Sequence, residues 1–107
     1  MDDYLAYGPS QAMYQDTSKS DVYAAAKTLF GENVKRVRKQ SGMSQEALAL
    51  KIDADQAYIS RIEAGQLNPT IESIAEIAQA LNVKISELFQ NWAQISHNGG
   101  YDNFIFI

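Results

Sequence analysis

One short stretch of this chain, DADQAYISRIEAGQLNP at residues 53–69, combines helical spacing with an unusual set of outward side chains. Ile59 and Ile62 recur at helical spacing and predict the buried side of a short amphipathic helix. Four residues point away from that side: Gln56, Ala57, Ser60 and Arg61. We refer to these four residues as the polar row. Short side chains together with one arginine are suited to hydrogen bonding with a partner outside the fold.

The sequence lacks the constellations that catalysis or metal binding would need. There is no cysteine, and His97 is the only histidine, so neither thiolate chemistry nor a histidine metal site is expected. No paired acid and base, nucleophile elbow or glycine-rich phosphate loop appears. We therefore predict a binding protein without a cofactor, and not an enzyme.

Length, charge and hydropathy narrow the class further. A chain of 107 residues that is 46% apolar and contains two prolines predicts one folded domain with short extensions. The net charge of −4 argues against nucleic acid as a partner, although the cations of KRVRK, residues 35–39, allow a local positive patch. No apolar run approaches the ~20 residues of a membrane span, and the acidic start is unlike a signal peptide. Together with the lack of cysteine, these features predict a cytoplasmic protein.

Periodicity and capping residues predict the elements that position the polar row. We expect an N-terminal arm over residues 1–19, a domain over 20–95 and a tail over 96–107. Ser20 is predicted to cap a first helix that Gly31 interrupts, and a helix over 32–41 to end at Gly42. Four further caps mark four further helices: Ser44, Asp55, Thr70 and Ser86. The spacing therefore predicts an all-α fold.

The apolar stripe of the helix after Thr70 is predicted to comprise Ile71, Ile74, Ile77, Ala78 and Leu81. Val83 and Ile85 are expected to pack in the connection that follows it. The next helix is expected to carry Leu88, Phe89, Trp92 and Ile95.

With these helices placed, residues 30–89 resemble the Cro/C1-type helix-turn-helix family, also called the xenobiotic-response-element family. The matching motifs are SGMSQEALA, AYISRIEAG, NPTIESIAEIAQALNV and SELF. The resemblance implies a compact five-helix, lambda-repressor-like domain, preceded by an arm and an extra helix and followed by a short extended tail. It also implies that the third helix of this domain enters the major groove of double-stranded DNA.

The resemblance gives the polar row base-reading roles. Gln56 is expected to reach a base edge, with adenine its natural bidentate partner. Arg61 could contact guanine or a backbone phosphate, and Ser60 a base or a phosphate. Ala57 could touch a thymine methyl group or simply be small enough for close approach.

Other residues are expected to hold the DNA backbone or the fold. The candidate phosphate contacts are Ser44, Gln45, Tyr58, Gln66 and Asn68. An Arg38–Glu63 salt bridge is implied by the family resemblance and would tie the first helix of the domain to the end of the third. Two departures from the family pattern are the replacement of a common turn glycine by Asp53 and the scarcity of cations in residues 64–67.

The resemblance also implies a dimer whose contacts lie in the region after the fourth helix. The candidate interface residues are Phe89, Trp92, Ile95, Phe104 and Phe106. For Trp92, packing back on its own domain is the alternative. The tail, ending NFIFI, is expected to pair with a partner subunit or with residues near DYLAY. The alternatives are that it docks on another protein or that it stays unpaired and disordered.

The sequence is compatible with three functions. The first is a homodimeric, sequence-specific transcriptional regulator, with repression of a nearby promoter suggested by the resemblance. The second is an antitoxin-type DNA-binding protein whose arm or tail binds a protein partner. The third is a helix-turn-helix used only for protein interaction, which the acidic charge favours and the polar row disfavours.

Overall fold

The structure is a computed structural model that describes residues 9–95. Its elements are all helical: α1 (Pro9–Gln40), α2 (Gln45–Lys51), α3 (Gln56–Glu63), α4 (Ile71–Leu81) and two 3-10 helices (Ile85–Phe89 and Trp92–Gln94). Ala26–Trp92 form one compact unit, and the packing described below lies within it. None of the helices in the described part of the chain is long and apolar enough to cross a membrane.

Three of the predicted caps are confirmed. The side chains of Ser44, Asp55 and Thr70 each accept a hydrogen bond from the backbone N–H three residues later, at 2.9–3.0 Å. Each cap satisfies one of the N–H groups that a helix start leaves without an internal partner. These short-range contacts determine where α2, α3 and α4 begin.

The predicted break at Gly31 is wrong, and so is the predicted start at Ser20. A single helix, α1, runs from Pro9 to Gln40 and passes through both positions. Gly31 is present because α3 approaches closely: a Cβ atom there would lie 2.3 Å from the Ile62 carbonyl oxygen and 2.8 Å from that of Glu63. The glycine therefore permits backbone contact between two helices instead of ending one of them.

The core lies where α1, α2, α3 and α4 meet the first 3-10 helix. Its largest fully buried side chains are Val34, Leu48, Ile59, Ile62, Ile77 and Leu88. These residues come from α1, α2, α3, α4 and the first 3-10 helix, so each of these elements contributes to the core. Met43 and Tyr58 pack against this core while partly exposed.

Two parts of the predicted apolar pattern are wrong. Ile71 begins α4 but is 78% exposed, and Ile85 is 45% exposed. The segment after Ser86 does not form an α-helix. Ile85–Phe89 is a 3-10 helix in which Lys84 holds the cap position without a side-chain hydrogen bond, so Ser86 is not a cap.

The turns between the helices use the left-handed region of backbone space. Gly42 and Gly65 both have φ of +74°, which accounts for the ends of α1 and α3. Asp53 has φ of +60° in the turn between α2 and α3. The turn position that the family resemblance assigns to glycine is therefore left-handed in this chain as well.

Candidate nucleic-acid interface

The α2–turn–α3 unit places the polar row on the surface. The turn is held by the Ile52 and Ala54 backbone N–H groups, which both donate to the Ala49 carbonyl oxygen. Ile59 and Ile62 face the core, whereas Gln56 and Arg61 are exposed and Ala57 and Ser60 are half-buried. All four residues of the predicted row thus reach the surface of α3.

A chain of hydrogen bonds joins α3 to α2 at this surface. Gln56 Nε2 donates to Gln45 Oε1 at 2.6 Å. Gln45 Nε2 in turn donates to Glu63 Oε1 at 3.0 Å. We refer to Gln56, Gln45 and Glu63 as the polar chain. It brings a predicted base-reading residue and a predicted phosphate contact together with the predicted structural carboxylate.

The polar chain ends in a buried ion pair. Arg38 Nε donates to Glu63 Oε2 at 2.5 Å, and Arg38 Nη2 donates to Glu63 Oε1 at 3.0 Å. Arg38 Nη1 donates to the Met43 carbonyl oxygen at 2.8 Å, which ties the pair to the turn after α1. The hydrogen bond to Glu63 raises the pKa of the Arg38 guanidinium, against the opposing effect of burial. Because one partner comes from α1 and the other from α3, the pair holds α3 in place.

The remaining predicted phosphate contacts lie around the two ends of the helix pair. Ser44 and Gln45 are at the start of α2, and the Ser44 hydroxyl already accepts the capping hydrogen bond from Ala47. Tyr58 is half-buried on α3. Gln66 and Asn68 are exposed in the loop that follows α3. The structure therefore leaves all of these residues at least partly accessible.

Asn33 and Arg36 have structural roles that sequence reasoning missed. Asn33 is 4% exposed, and its Nδ2 donates to the carbonyl oxygens of Leu88 and Gln90, both at 3.1 Å. Arg36 Nη2 donates to Asn33 Oδ1 at 3.0 Å. The sequence contains one signal for this role. Asn33 lies on the apolar face of its helix, and a buried asparagine requires hydrogen-bond partners.

The predicted interface residues divide between packing and exposure. Phe89 stacks on Phe30 with ring centroids 5.3 Å apart, and Trp92 meets Phe89 edge-on at 6.4 Å. Trp92 nevertheless remains 51% exposed, and Ile95 is half-buried. Phe104 and Phe106, residues 1–8, and the tail with His97 lie outside the described residues. Between residues 9 and 95 no group of acidic or histidine side chains could hold a metal ion.

Comparison with known proteins identifies the same helix-turn-helix segment. Residues 34–88 match the family model described as Helix-turn-helix. Control protein C.MunI of a Mycoplasma species is 38% identical over 66 residues, covering 61% of this chain and 89% of that protein. Control protein C.BamHI of Bacillus amyloliquefaciens is 43% identical over 61 residues, covering 56% of this chain and 75% of that protein.

The solved structures agree with the relatives. The restriction-modification controller protein C.AhdI from Aeromonas hydrophila superimposes with a TM-score of 0.56 at 35% identity, over 58% of this chain and 94% of that chain. The matched segment contains the capped α2–turn–α3 unit and the Arg38–Glu63 pair described above. The chain belongs to the Cro/C1-type helix-turn-helix family of DNA-binding transcriptional regulators.

Proposed function

We propose that this protein is a homodimeric, sequence-specific DNA-binding regulator that acts as a repressor. In this proposal α3 enters the major groove, and a two-fold dimer reads a pseudo-palindromic operator with half-sites about 34 Å apart. The observation that carries it is the exposed Gln56 and Arg61 on a helix that a buried ion pair holds in position. A cytoplasmic location belongs to the same proposal.

The base-reading residues have separate tasks. Gln56 pairs with adenine, and Arg61 forms two hydrogen bonds with guanine O6 and N7. No ion pair or hydrogen bond engages the Arg61 side chain within the described part of the chain, so the guanidinium can extend into the groove. Ala57 lies against a thymine methyl group, and Ser60 donates to a base or a neighbouring phosphate.

Neutral groups provide most of the backbone contacts in this proposal. Gln45 donates one amide hydrogen to Glu63 and retains the second for a phosphate oxygen. Ser44, Tyr58, Gln66 and Asn68 add hydroxyl and amide donors. Such contacts set the register of the protein on the duplex without reading sequence.

Dimerisation is assigned to the surface around Trp92. A half-exposed tryptophan next to Phe89 is typical of an interface anchor. Ile95, Phe104 and Phe106 remain proposed contributors. The similarity to proteins named control proteins supports regulation of a nearby promoter, including the protein's own.

The test is selection of bound sites from random duplex DNA with the full chain, followed by titration of the selected sites. A split palindrome is expected. Gln56→Ala and Arg61→Ala should each relax preference at one position of the half-site, by roughly 1–3 kcal/mol. If the full chain enriches no motif, the regulator proposal fails and a protein interaction function replaces it.

Co-purification tests the antitoxin-type alternative. A protein partner that binds the arm or the tail and remains attached during purification would support it. A chain that purifies alone from its native source, while still enriching a palindrome, would support the simple regulator.

A further inference from the structure

We propose that Glu63 is a positioning residue that determines, through Gln45, which way the Gln56 amide faces the DNA. The inference rests on the proposed base-reading role of Gln56. It goes beyond that role because it assigns base preference to a carboxylate that does not itself touch the DNA.

Glu63 is the buried end of the polar chain. The side chain of Glu63 is 4% exposed and paired with Arg38, so it is an ionised carboxylate. An ionised carboxylate can only accept hydrogen bonds. Gln45 must therefore turn its amide nitrogen towards Glu63, as the 3.0 Å contact between Nε2 and Oε1 shows.

The orientation of the Gln45 amide then determines the orientation of the Gln56 amide. Once the Gln45 nitrogen faces Glu63, its oxygen faces Gln56, and Gln56 must donate, as it does at 2.6 Å. A glutamine amide with no neighbours has little preference between its two orientations, because oxygen and nitrogen are nearly equal in shape. Here a carboxylate two side chains away removes that ambiguity.

The consequence lies in what Gln56 still offers to a base. Its oxygen and its second amide hydrogen remain available after the bond to Gln45. Adenine presents the N7 acceptor and the N6 donor in a fixed order across the major groove. Only one orientation of the amide matches that order, and the reversed amide places its oxygen opposite N7. Glu63 therefore sets the base preference of Gln56.

The experiment compares variants that reverse or remove the orientation. Gln45→Lys places a donor-only group between Glu63 and Gln56, so Gln56 must present its oxygen to the lysine. The double variant Arg38→Met/Glu63→Met replaces the buried ion pair with apolar side chains of similar volume, a change that cores often tolerate. Gln79→Lys, at an exposed position of α4, adds the same charge outside the polar chain.

The readout is the relative affinity for the four bases at the half-site position that Gln56→Ala identifies. Gln45→Lys should lower the preference for adenine there about tenfold, within the range of one bidentate contact. The double variant should lower it about fivefold, the equivalent of one hydrogen bond. Preferences at the other positions, and all preferences of Gln79→Lys, should stay within about twofold of the unsubstituted protein.

The possible contradictions are distinguishable. If Gln56→Ala abolishes the adenine preference but the double variant folds and keeps it, the positioning role of Glu63 is overturned and the regulator proposal stands, whatever Gln45→Lys shows. If the unsubstituted protein enriches no motif, or Gln56→Ala changes nothing, the base-reading proposal fails and the positioning role fails with it. If the double variant does not fold, Glu63→Gln takes its place. A glutamine amide can donate as well as accept, so Gln45 is no longer held in one orientation and the adenine preference should fall in the same way.

Discussion

At the scale of single residues, Arg61 allows a contact that depends on side-chain shape to be distinguished from one that depends on charge. It is the one cation on the exposed face of α3. A guanidinium can form two parallel hydrogen bonds with guanine, whereas an ammonium group acts as a point charge. The proposed guanine contact therefore depends on geometry, and a phosphate contact would depend on charge alone.

Replacing Arg61 with lysine or alanine distinguishes these contacts. We expect both variants to lose the guanine preference, by roughly 1–3 kcal/mol. Both should retain the slope of log affinity against log salt concentration, measured by titration at several salt concentrations. A phosphate contact would give the opposite result: lysine would preserve binding, and alanine would reduce the slope by about 0.9 per subunit.

Asp53 is a second residue whose effect is local. Its φ of +60° places an L-residue with a Cβ atom in the left-handed region. That conformation costs roughly 1–2 kcal/mol for most L-residues and less for aspartate, whose short polar side chain can hydrogen-bond locally. The strain is stored in the turn that connects α2 to α3.

Asp53→Gly should raise the free energy of unfolding by about 0.5–1 kcal/mol, because glycine adopts this conformation without a steric cost. Urea denaturation monitored by circular dichroism measures the change. Asp53→Asn is the control for charge: it should stay close to the unsubstituted protein. If asparagine stabilises as much as glycine does, the benefit comes from removing a negative charge and not from relieving backbone strain.

At the scale of the elements, the orientation of α3 is decided by its contacts with α1. Gly31 allows the α1 backbone to approach the carbonyl groups at the end of α3, and the Arg38–Glu63 pair joins the same two helices about two turns further along α1. Asn33 performs the corresponding task for the first 3-10 helix by donating to the carbonyl oxygen of Leu88 within it and to that of Gln90 just after it. α1 is thus the element against which α3, the proposed reading helix, is positioned.

Gly31→Ala tests this close approach. In an isolated helix the substitution would stabilise by about 1 kcal/mol. Here we expect destabilisation by about 2 kcal/mol or more, because the new methyl group would overlap backbone that cannot move independently. Thermal unfolding provides the measurement. Gly42→Ala is the matched control, since φ is +74° there but no atom lies within 4 Å; it should cost only about 1 kcal/mol. A neutral Gly31→Ala would show that α1 and α3 are not in tight contact.

At the scale of the whole molecule, the proposed dimer depends on apolar groups that the described unit leaves exposed. Trp92 is the largest of these, and its ring packs edge-on against the ring of Phe89. Because reading a palindrome needs two copies of α3, loss of the dimer should also lower the affinity for the full operator while leaving half-site preference unchanged.

Trp92→Ala should raise the dimer dissociation constant about thirtyfold or more, as expected for an aromatic anchor. Sedimentation over a range of protein concentrations measures it. Leu50→Ala is a suitable control because Leu50 is 81% exposed on α2 and lies outside the proposed interface. Equal effects of the two substitutions, or none for Trp92→Ala, would place the dimer contact elsewhere.

Features that depend only on neighbours along the chain were predictable from the sequence. The caps at Ser44, Asp55 and Thr70 and the apolar spacing of α3 need only a few consecutive residues, so local physics was enough to predict them. The motif resemblance added the Arg38–Glu63 pair and the proposed base-reading surface. In contrast, the predicted break at Gly31 and the α-helix after Ser86 were wrong.

Features that join residues far apart in the chain were not predictable from the sequence, because they depend on how the helices pack. A glycine in a helical pattern indicates a break by local rules, and no local signal shows that another backbone lies against it. The polar chain likewise joins three residues from two helices, and its direction follows from a carboxylate buried by the packing of α1 on α3. Local propensities selected the helices, whereas burial and contact between the helices determined how the exposed polar surface of α3 is held.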